Sequence, residues 1–105
     1  MKKYIVILKN KKRDILTEDL LRGHVEHLKK LEKEGRLFLC GPFTDNEGAL
    51  QIITAYSFNE AEKSALQDPF IIHGYYEYIL HELIEADRSN NYLVEDKQTV
   101  NNLNS

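Results

Sequence analysis

Residues 17–35, TEDLLRGHVEHLKKLEKEG, constrain the fold most, because they predict a long amphipathic helix that has to bury one of its faces. Thr17 is a favoured helix N-cap, and Gly35 is a favoured residue just beyond a helix end. Between them a stripe recurs at three- and four-residue spacing: Leu21, His24, Val25, Leu28 and Leu31. The stripe is apolar apart from His24, so the question is what a histidine does on the buried face.

Four apolar segments predict β-strands around this helix, at residues 4–8, 36–40, 49–58 and 76–83. The first segment is rich in β-branched residues, so we expect a central strand that is buried on both faces. Gly41-Pro42 is expected to end the second strand. In the fourth segment, Tyr76, Tyr78 and Leu80 alternate with more polar residues and predict one buried face.

A second, shorter helix is predicted at residues 60–67. Asn59 and Glu62 have the spacing of a capping box, and Asp68-Pro69 ends the helix because the residue before a proline is pushed out of the α region. Residues 70–74 are expected to form a loop or a single turn. The resulting order, β-α-β-β-α-β, predicts an α+β protein with the ferredoxin-like arrangement, in which the helices cover one face of a four-stranded antiparallel sheet.

The other face of this sheet is expected to pack on a second subunit. The third strand carries Leu50, Ile52 and Ile53, and one covered face cannot bury all of these side chains. We therefore expect a homodimer that packs sheet to sheet. The domain is predicted to span residues 1–87, and residues 88–105 to form a C-terminal tail that is frayed or packed on the partner subunit.

Composition restricts the cellular context and the partners. A chain of 105 residues with a net charge of −3 fits one domain without the basic face of a nucleic-acid-binding protein, so nucleic acid is not expected as a partner. Cys40 is the one cysteine, and the N-terminal apolar run is too short for a signal peptide or a membrane span, so we expect a cytoplasmic protein. No nucleotide-binding or dinucleotide-binding motif is present, and no cofactor is expected.

The other histidines and the lone cysteine favour structural roles. His27 is expected on the solvated flank of the helix. His24 and His27 have the H-x-x-H spacing of a metal site, but the sequence offers no further ligands at suitable spacing, so no metal is predicted. Cys40 is expected to be buried and unreactive. His73 and His81 are expected in the core or at an interface.

Two further features leave function open. Tyr75, Tyr76 and Tyr78 could pack a dimer interface or line a pocket for an aromatic ligand. His24 itself could be a half-buried histidine bonded to a backbone carbonyl, and Asp68 could be no more than a helix stop.

The segment from His24 to Phe43, HVEHLKKLEKEGRLFLCGPF, resembles the signature of the YCII-related (YciI-like) family. A helical histidine eleven residues before a GRL turn is matched by His24 and Gly35, and a Gly-Pro after the second strand by Gly41-Pro42. The later segment, DPFIIHGYYEY, is similar to the family at its Asp-Pro, its glycine and its glutamate. The resemblance covers roughly residues 2–85.

This resemblance implies a dimeric α+β barrel, similar to muconolactone isomerases, with an active site built from one histidine and one aspartate. By position these are His24 and Asp68. We also expect substrate contacts from Arg22, Gly41, Pro42 and Tyr76. The chain departs from the family in its longer fourth strand, in His81, and in the offset of Arg22 from the histidine.

A carboxylate beside an imidazole fixes the tautomer of the ring and suits general acid/base chemistry. The first hypothesis is thus a cofactor-independent lyase or isomerase, including dehalogenation by elimination, that acts on a small substrate such as a cyclic or aromatic one. The alternative is a non-catalytic dimer that binds a small ligand, for example as a sensor. A third reading is ligation of haem or a metal through His24.

Overall fold

The structure, a computed structural model, describes residues 1–94. Its four strands are β1 (Lys2–Lys9), β2 (Leu37–Pro42), β3 (Ala49–Ala55) and β4 (Glu77–Leu83). Its helices are α1 (Glu18–Lys33), α2 (Phe58–Ala65) and the single turn α3 (Pro69–Ile72). Two 3₁₀ segments, Arg13–Ile15 and Arg88–Leu93, complete the described chain.

The sheet has the order β2-β3-β1-β4, and every neighbouring pair is antiparallel. β1 is a central strand, as predicted, and Tyr4 pairs with Ile53 on one side and with Glu82 on the other. Both long helices follow a strand and return the chain to the next one, so the α+β ferredoxin-like arrangement is confirmed.

The core lies between the helices and one face of the sheet. Alternate residues of β1 are fully buried on this face, namely Tyr4, Val6 and Leu8. They belong to one core cluster with side chains from the helices and from β3: Leu31, Ile53, Ala55, Ala61, Ala65 and Phe70. The opposite face of β1 carries Ile5 and Ile7, which are only half-buried. The prediction that this strand is buried on both faces therefore holds for one face of the single chain.

Strand ends differ from the prediction where a neighbouring strand supplies partners. β2 continues through Gly41 and Pro42 because β3 runs alongside it as far as Ala49. Proline is tolerated at this position since β2 is an edge strand and needs no further amide donor. β3 ends at Ala55 rather than at residue 58.

Helix ends differ for a similar reason. Ser57, not Asn59, caps α2, and its side chain accepts a hydrogen bond from the amide of Glu60. Starting the helix at Phe58 lets that ring pack edge-on against Tyr4, with ring centroids 6.2 Å apart. Thr17 caps α1 as predicted, accepting from the amide of Leu20.

The face that α1 turns toward the protein is rotated from the predicted stripe. Leu21 and Val25 are exposed, whereas Leu31 and His27 are buried. The prediction that His27 lies on the solvated flank is therefore wrong. Periodicity defines the width of an apolar stripe, but the neighbouring elements decide which edge of it becomes buried.

The C-terminal prediction falls partly outside the described residues. Asp87 caps the 3₁₀ segment Arg88–Leu93 through a capping box with Asn90. Residues 95–105 lie outside the described part of the chain, so the predicted tail and its packing stay predictions. No helix within residues 1–94 is long and apolar enough to cross a membrane.

Candidate active site

Asp68 is the buried acidic group of the site. It is the N-cap of α3, its side chain is 0% exposed, and its Oδ1 accepts from the amide of Phe70 at 3.0 Å. A proline at the first helical position requires the preceding residue to be extended, which suits a capping aspartate. The Asp-Pro pair thus starts α3, whereas α2 already ends at Ala65, two residues before the predicted end at Gln67.

His24 reaches Asp68 from α1, 44 residues away in sequence. Its Nδ1 lies 2.9 Å from Asp68 Oδ1 and 3.0 Å from Oδ2, so the partner of this ring is a carboxylate rather than a backbone carbonyl. The two helical segments approach closely at Gly23, where an added Cβ would lie 3.1 Å from Pro69 Cγ. A small residue at this point lets the next residue along α1 reach the buried carboxylate.

The imidazole of His24 is also fixed by an aromatic ring. It stacks on Phe70 with centroids 3.9 Å apart and an interplanar angle of 7°, and its side chain is 13% exposed. An ionised carboxylate only accepts hydrogen bonds, so Nδ1 must carry a proton. The hydrogen bonds of this ring within residues 1–94 all use Nδ1, which leaves Nε2 for another partner.

The charge of Asp68 is maintained by its neighbours. Burial alone would raise the pKa of this carboxyl, but the hydrogen bond and charge of His24, the amide of Phe70 and the side chain of Gln51 hold its pKa below the usual value of 3.8. The carboxylate is therefore ionised at neutral pH. It can then orient the imidazole and stabilise a positive charge on that ring.

Gln51 completes the ring of donors around Asp68. This β3 residue is 2% exposed, and its Nε2 donates to Asp68 Oδ2 at 3.1 Å. Sequence reasoning missed Gln51 and Phe70. A signal for the first was present, because Gln51 is a polar residue at a core-facing position between the apolar residues Leu50 and Ile52.

A cavity of about 420 Å³ opens beside the His24–Asp68 pair. Most of its wall is apolar, and it is lined by Leu21, His24, Val25, Leu28, Cys40, Gly41, Pro42, Ala49, Leu50, Gln51, Phe70 and Tyr76. Of the four residues expected to contact substrate, Gly41, Pro42 and Tyr76 line this cavity. Arg22 does not; it is exposed and forms an ion pair with Glu18 at 2.7 Å.

Cys40 and His27 lie in surroundings that differ from those predicted, and for His73 and His81 the interface alternative stays a prediction. Cys40 is exposed and forms part of the cavity wall, so the prediction of a buried thiol is wrong. His73 and His81 are exposed in the single chain rather than part of its core. His27 is 8% exposed and its Nε2 has no hydrogen-bond partner among the described residues.

Burial of His27 lowers the pKa of its imidazole. The nearby charge of Asp68 opposes this effect, and the charge of His24 adds to it. His27 is thus held neutral on the same helix as His24. Within residues 1–94, no group of three or more histidine, cysteine or acidic side chains has the geometry to hold a metal ion.

The tyrosines belong mainly to the chain's own core. Tyr75 and Tyr76 are buried and pack around Phe70, at centroid distances of 4.7 Å and 5.8 Å. This aromatic cluster supports the ring on which His24 stacks. Tyr76 therefore joins the structural cluster to the cavity wall.

Comparison with known proteins identifies the family. The profile of the YCII-related domain matches residues 3–83. The chain belongs to the YCII-related family. It is 30% identical over 79 residues to the uncharacterized protein YjpA of Bacillus subtilis strain 168, covering 75% of this chain and 93% of YjpA.

A solved structure of similar fold is 5-chloro-2-hydroxyhydroquinone dehydrochlorinase (TftG) from Burkholderia phenoliruptrix AC1100, in complex with 2,5-dihydroxybenzoquinone. The TM-score is 0.59 at 19% sequence identity, and the match covers 82% of this chain and 97% of TftG. At this level of identity the similarity establishes the fold that the two chains share.

Proposed function

We propose that this protein is a small cofactor-independent enzyme that uses His24 as general base and acid and Asp68 as its orienting partner. The observation that carries the proposal is the 2.9 Å contact between His24 Nδ1 and a fully buried carboxylate, at the wall of an apolar cavity. A histidine fixed in this way has one defined tautomer, with Nε2 as the proton acceptor.

The reaction class is proton transfer coupled to isomerisation or elimination. His24 Nε2 takes a proton from an O–H or C–H group of the substrate, and the released electron pair forms a new double bond. In an elimination, a leaving group such as chloride departs with its bonding pair; in an isomerisation, His24 returns the proton to another atom. Asp68 stabilises the imidazolium formed in between, and none of these steps requires a cofactor.

The fold of TftG supports this choice of chemistry. TftG is named as a dehydrochlorinase and was solved with a six-membered ring ligand. A cavity of about 420 Å³ accommodates a substrate of that size and falls within the range typical of small-molecule sites. We therefore favour a small, hydroxylated or halogenated ring as substrate.

A non-catalytic role in binding a small ligand is the second candidate. The mainly apolar wall of the cavity would hold a ring whether or not a proton is transferred. The two candidates differ in their demand on His24, because binding tolerates a neutral hydrogen-bonding replacement and general base catalysis does not.

We also propose that the protein is a homodimer. The face of the sheet opposite the helices carries half-buried apolar side chains from three strands, among them Ile5, Ile7, Leu50, Ile52 and Ile79. Packing two such faces together would remove this surface from water. We further propose a cytoplasmic location, where the exposed thiol of Cys40 would remain reduced.

The test combines a substrate screen with variants of the pair. Chlorinated hydroquinones and related rings would be incubated with the protein, and chloride release and quinone absorbance measured. We expect His24→Gln and Asp68→Asn each to lower turnover by about 100-fold or more, with unchanged circular dichroism. His73→Gln, an exposed histidine outside the cavity wall, is the matched control and should retain full activity. Turnover that survives His24→Gln would refute the catalytic role, and binding without turnover by the unmodified protein would favour the second candidate.

A further inference from the structure

Gln51 connects the buried charge of the site to its cavity. Its Nε2 donates to Asp68 Oδ2, and the residue also lines the cavity wall. Because an ionised carboxylate accepts but does not donate, the amide can face Asp68 only through its nitrogen. The orientation of the Gln51 side chain is therefore determined, and its Oε1 is left for a different neighbour.

That neighbour is not found within the described protein. Gln51 Oε1 accepts no hydrogen bond from residues 1–94, and it is not among their fully buried unpaired polar atoms, which consist of His27 Nε2 alone. Oε1 is thus not fully enclosed by the protein, and the space that Gln51 lines is the cavity beside His24. A carbonyl oxygen in a mainly apolar wall is a specific acceptor for one donor group on a ligand.

We propose that Gln51 both positions Asp68 through Nε2 and selects substrate through Oε1, which accepts a hydrogen bond from a hydroxyl group on an uncharged ring. This inference rests on the proposed function, since it names the substrate class of the same site. Two features disfavour an anionic ring. The wall presents the negative end of the Gln51 amide, and the ionised Asp68 lies directly behind it.

The selectivity is tested by binding of three matched rings to the full chain, measured by ¹H–¹⁵N NMR titration under anaerobic conditions. Hydroquinone carries hydroxyl donors, 1,4-dimethoxybenzene lacks them, and 2,5-dihydroxybenzoate adds a carboxylate. We expect hydroquinone to bind about tenfold more tightly than 1,4-dimethoxybenzene, as the loss of one hydrogen bond in a buried site implies. We also expect it to bind more tightly than 2,5-dihydroxybenzoate, whose carboxylate is repelled by the ionised Asp68. Gln51→Met, which removes both polar atoms at similar length, should lower the preference for hydroquinone over 1,4-dimethoxybenzene about tenfold.

The control variant is Gln67→Met, which makes the same change at an exposed position outside this cavity and should leave the preference unchanged. An unaltered preference in Gln51→Met would overturn the selective role, as would equal or tighter binding of 2,5-dihydroxybenzoate, or failure of hydroquinone to bind in the cavity. Should Gln51→Met fail to fold, the side-chain amide signals of Gln51 in the unmodified protein give the answer. They should shift with hydroquinone and not with 1,4-dimethoxybenzene, and identical shifts would refute the inference.

The positioning role has its own readout. Without the Gln51 donor, the pKa of Asp68, followed by ¹³C NMR of its carboxyl group, should rise relative to the unmodified protein and to Gln67→Met. An unchanged pKa would refute this role. His24→Gln separates the inference from the proposed function, because it should lower turnover by about 100-fold or more while preserving the ligand preference that depends on Gln51.

Discussion

Replacing Asp68 by asparagine tests the physical basis of the site most directly. The substitution keeps the shape of the side chain and removes its charge. Three donors converge on this carboxylate, namely the ring of His24, the side-chain amide of Gln51 and the backbone amide of Phe70. An asparagine has one oxygen instead of two, so its NH₂ group must face at least one of these donors unless that donor turns away.

The expected loss of stability follows from the bonds that change. A hydrogen bond to a charged group contributes about 1.5–3 kcal/mol and one between neutral groups about 0.5–1.5 kcal/mol. Weakening two of the three bonds and losing the third therefore costs about 4 kcal/mol. Removing a buried charge recovers part of this cost, because the carboxylate no longer has to be desolvated. We expect a net loss of about 2 kcal/mol at pH 7, or about 10 °C in Tm for a domain of this size.

The pH dependence provides the sharper criterion. The folded-state pKa of Asp68 lies below its usual value of 3.8, so the stabilisation from the ionised carboxylate is fully present above pH 3.8. It is lost as the pH falls through the lowered folded-state value. The asparagine variant has no such titration, so the stability difference between the two proteins should shrink on acidification.

Urea unfolding followed by far-UV circular dichroism, at a series of pH values between 7 and the acid limit of folding, measures this difference. Asp14→Asn, which neutralises an exposed aspartate in the first 3₁₀ segment, is the control and should change stability little at any pH. A difference for Asp68→Asn that stays constant on acidification would mean that the carboxylate is not stabilised by these donors. The reasoning about the site would then fail.

Three further predictions concern other parts of the molecule. Alkylation of Cys40 with iodoacetamide should block ring binding, since this thiol is exposed on the cavity wall, and NMR titration of the mass-verified adduct tests it; undiminished binding would contradict it. Ile52→Lys should convert a dimer to a monomer, as measured by size-exclusion chromatography with light scattering, because Ile52 lies on the open face of the sheet. A monomeric unmodified protein would refute the proposed dimer. The His27→Leu variant should keep a larger share of its pH 7 stability at pH 5 than the unmodified protein does. The pKa of the buried His27 is lowered, so the unmodified protein loses stability as the pH falls through about 6.5. Parallel profiles of unfolding free energy against pH for the two proteins would contradict this.

The order of the elements was predictable because it depends on local patterns. Apolar periodicity, a threonine cap and turn residues indicated each strand and helix, and a chain with this order has few ways to cover one sheet face. The ends of elements were less predictable where several residues could serve equally. Ser57 and Asn59 are both good caps, and the choice between them follows the packing of Phe58 on Tyr4, a contact 54 residues apart in sequence.

The candidate site was predictable only in part, because its contacts are long-range. Spacing alone left His24 as a half-buried histidine and Asp68 as a helix stop, and only the family resemblance brought the two together. The donor from β3 was not foreseen, although a core-facing glutamine in an apolar strand implies that a buried partner exists. A glutamine at a core-facing position thus predicts that a hydrogen-bond partner exists, but it does not identify the partner residue.

His24 and His27 show why residue type and spacing do not assign a role. They lie one turn apart on the same helix and both face the interior, yet of the two only His24 meets a carboxylate, a stacking ring and the cavity that Gln51 lines. His27 is more deeply buried and is held neutral, with Nε2 unpaired among the described residues. A ring needs an accessible nitrogen to exchange a proton with a ligand, and a fixed tautomer defines which nitrogen is the acceptor. The role of each histidine on this helix therefore depends on the residues that the rest of the fold places next to it. For His24 that residue is Asp68, which supplies the negative charge.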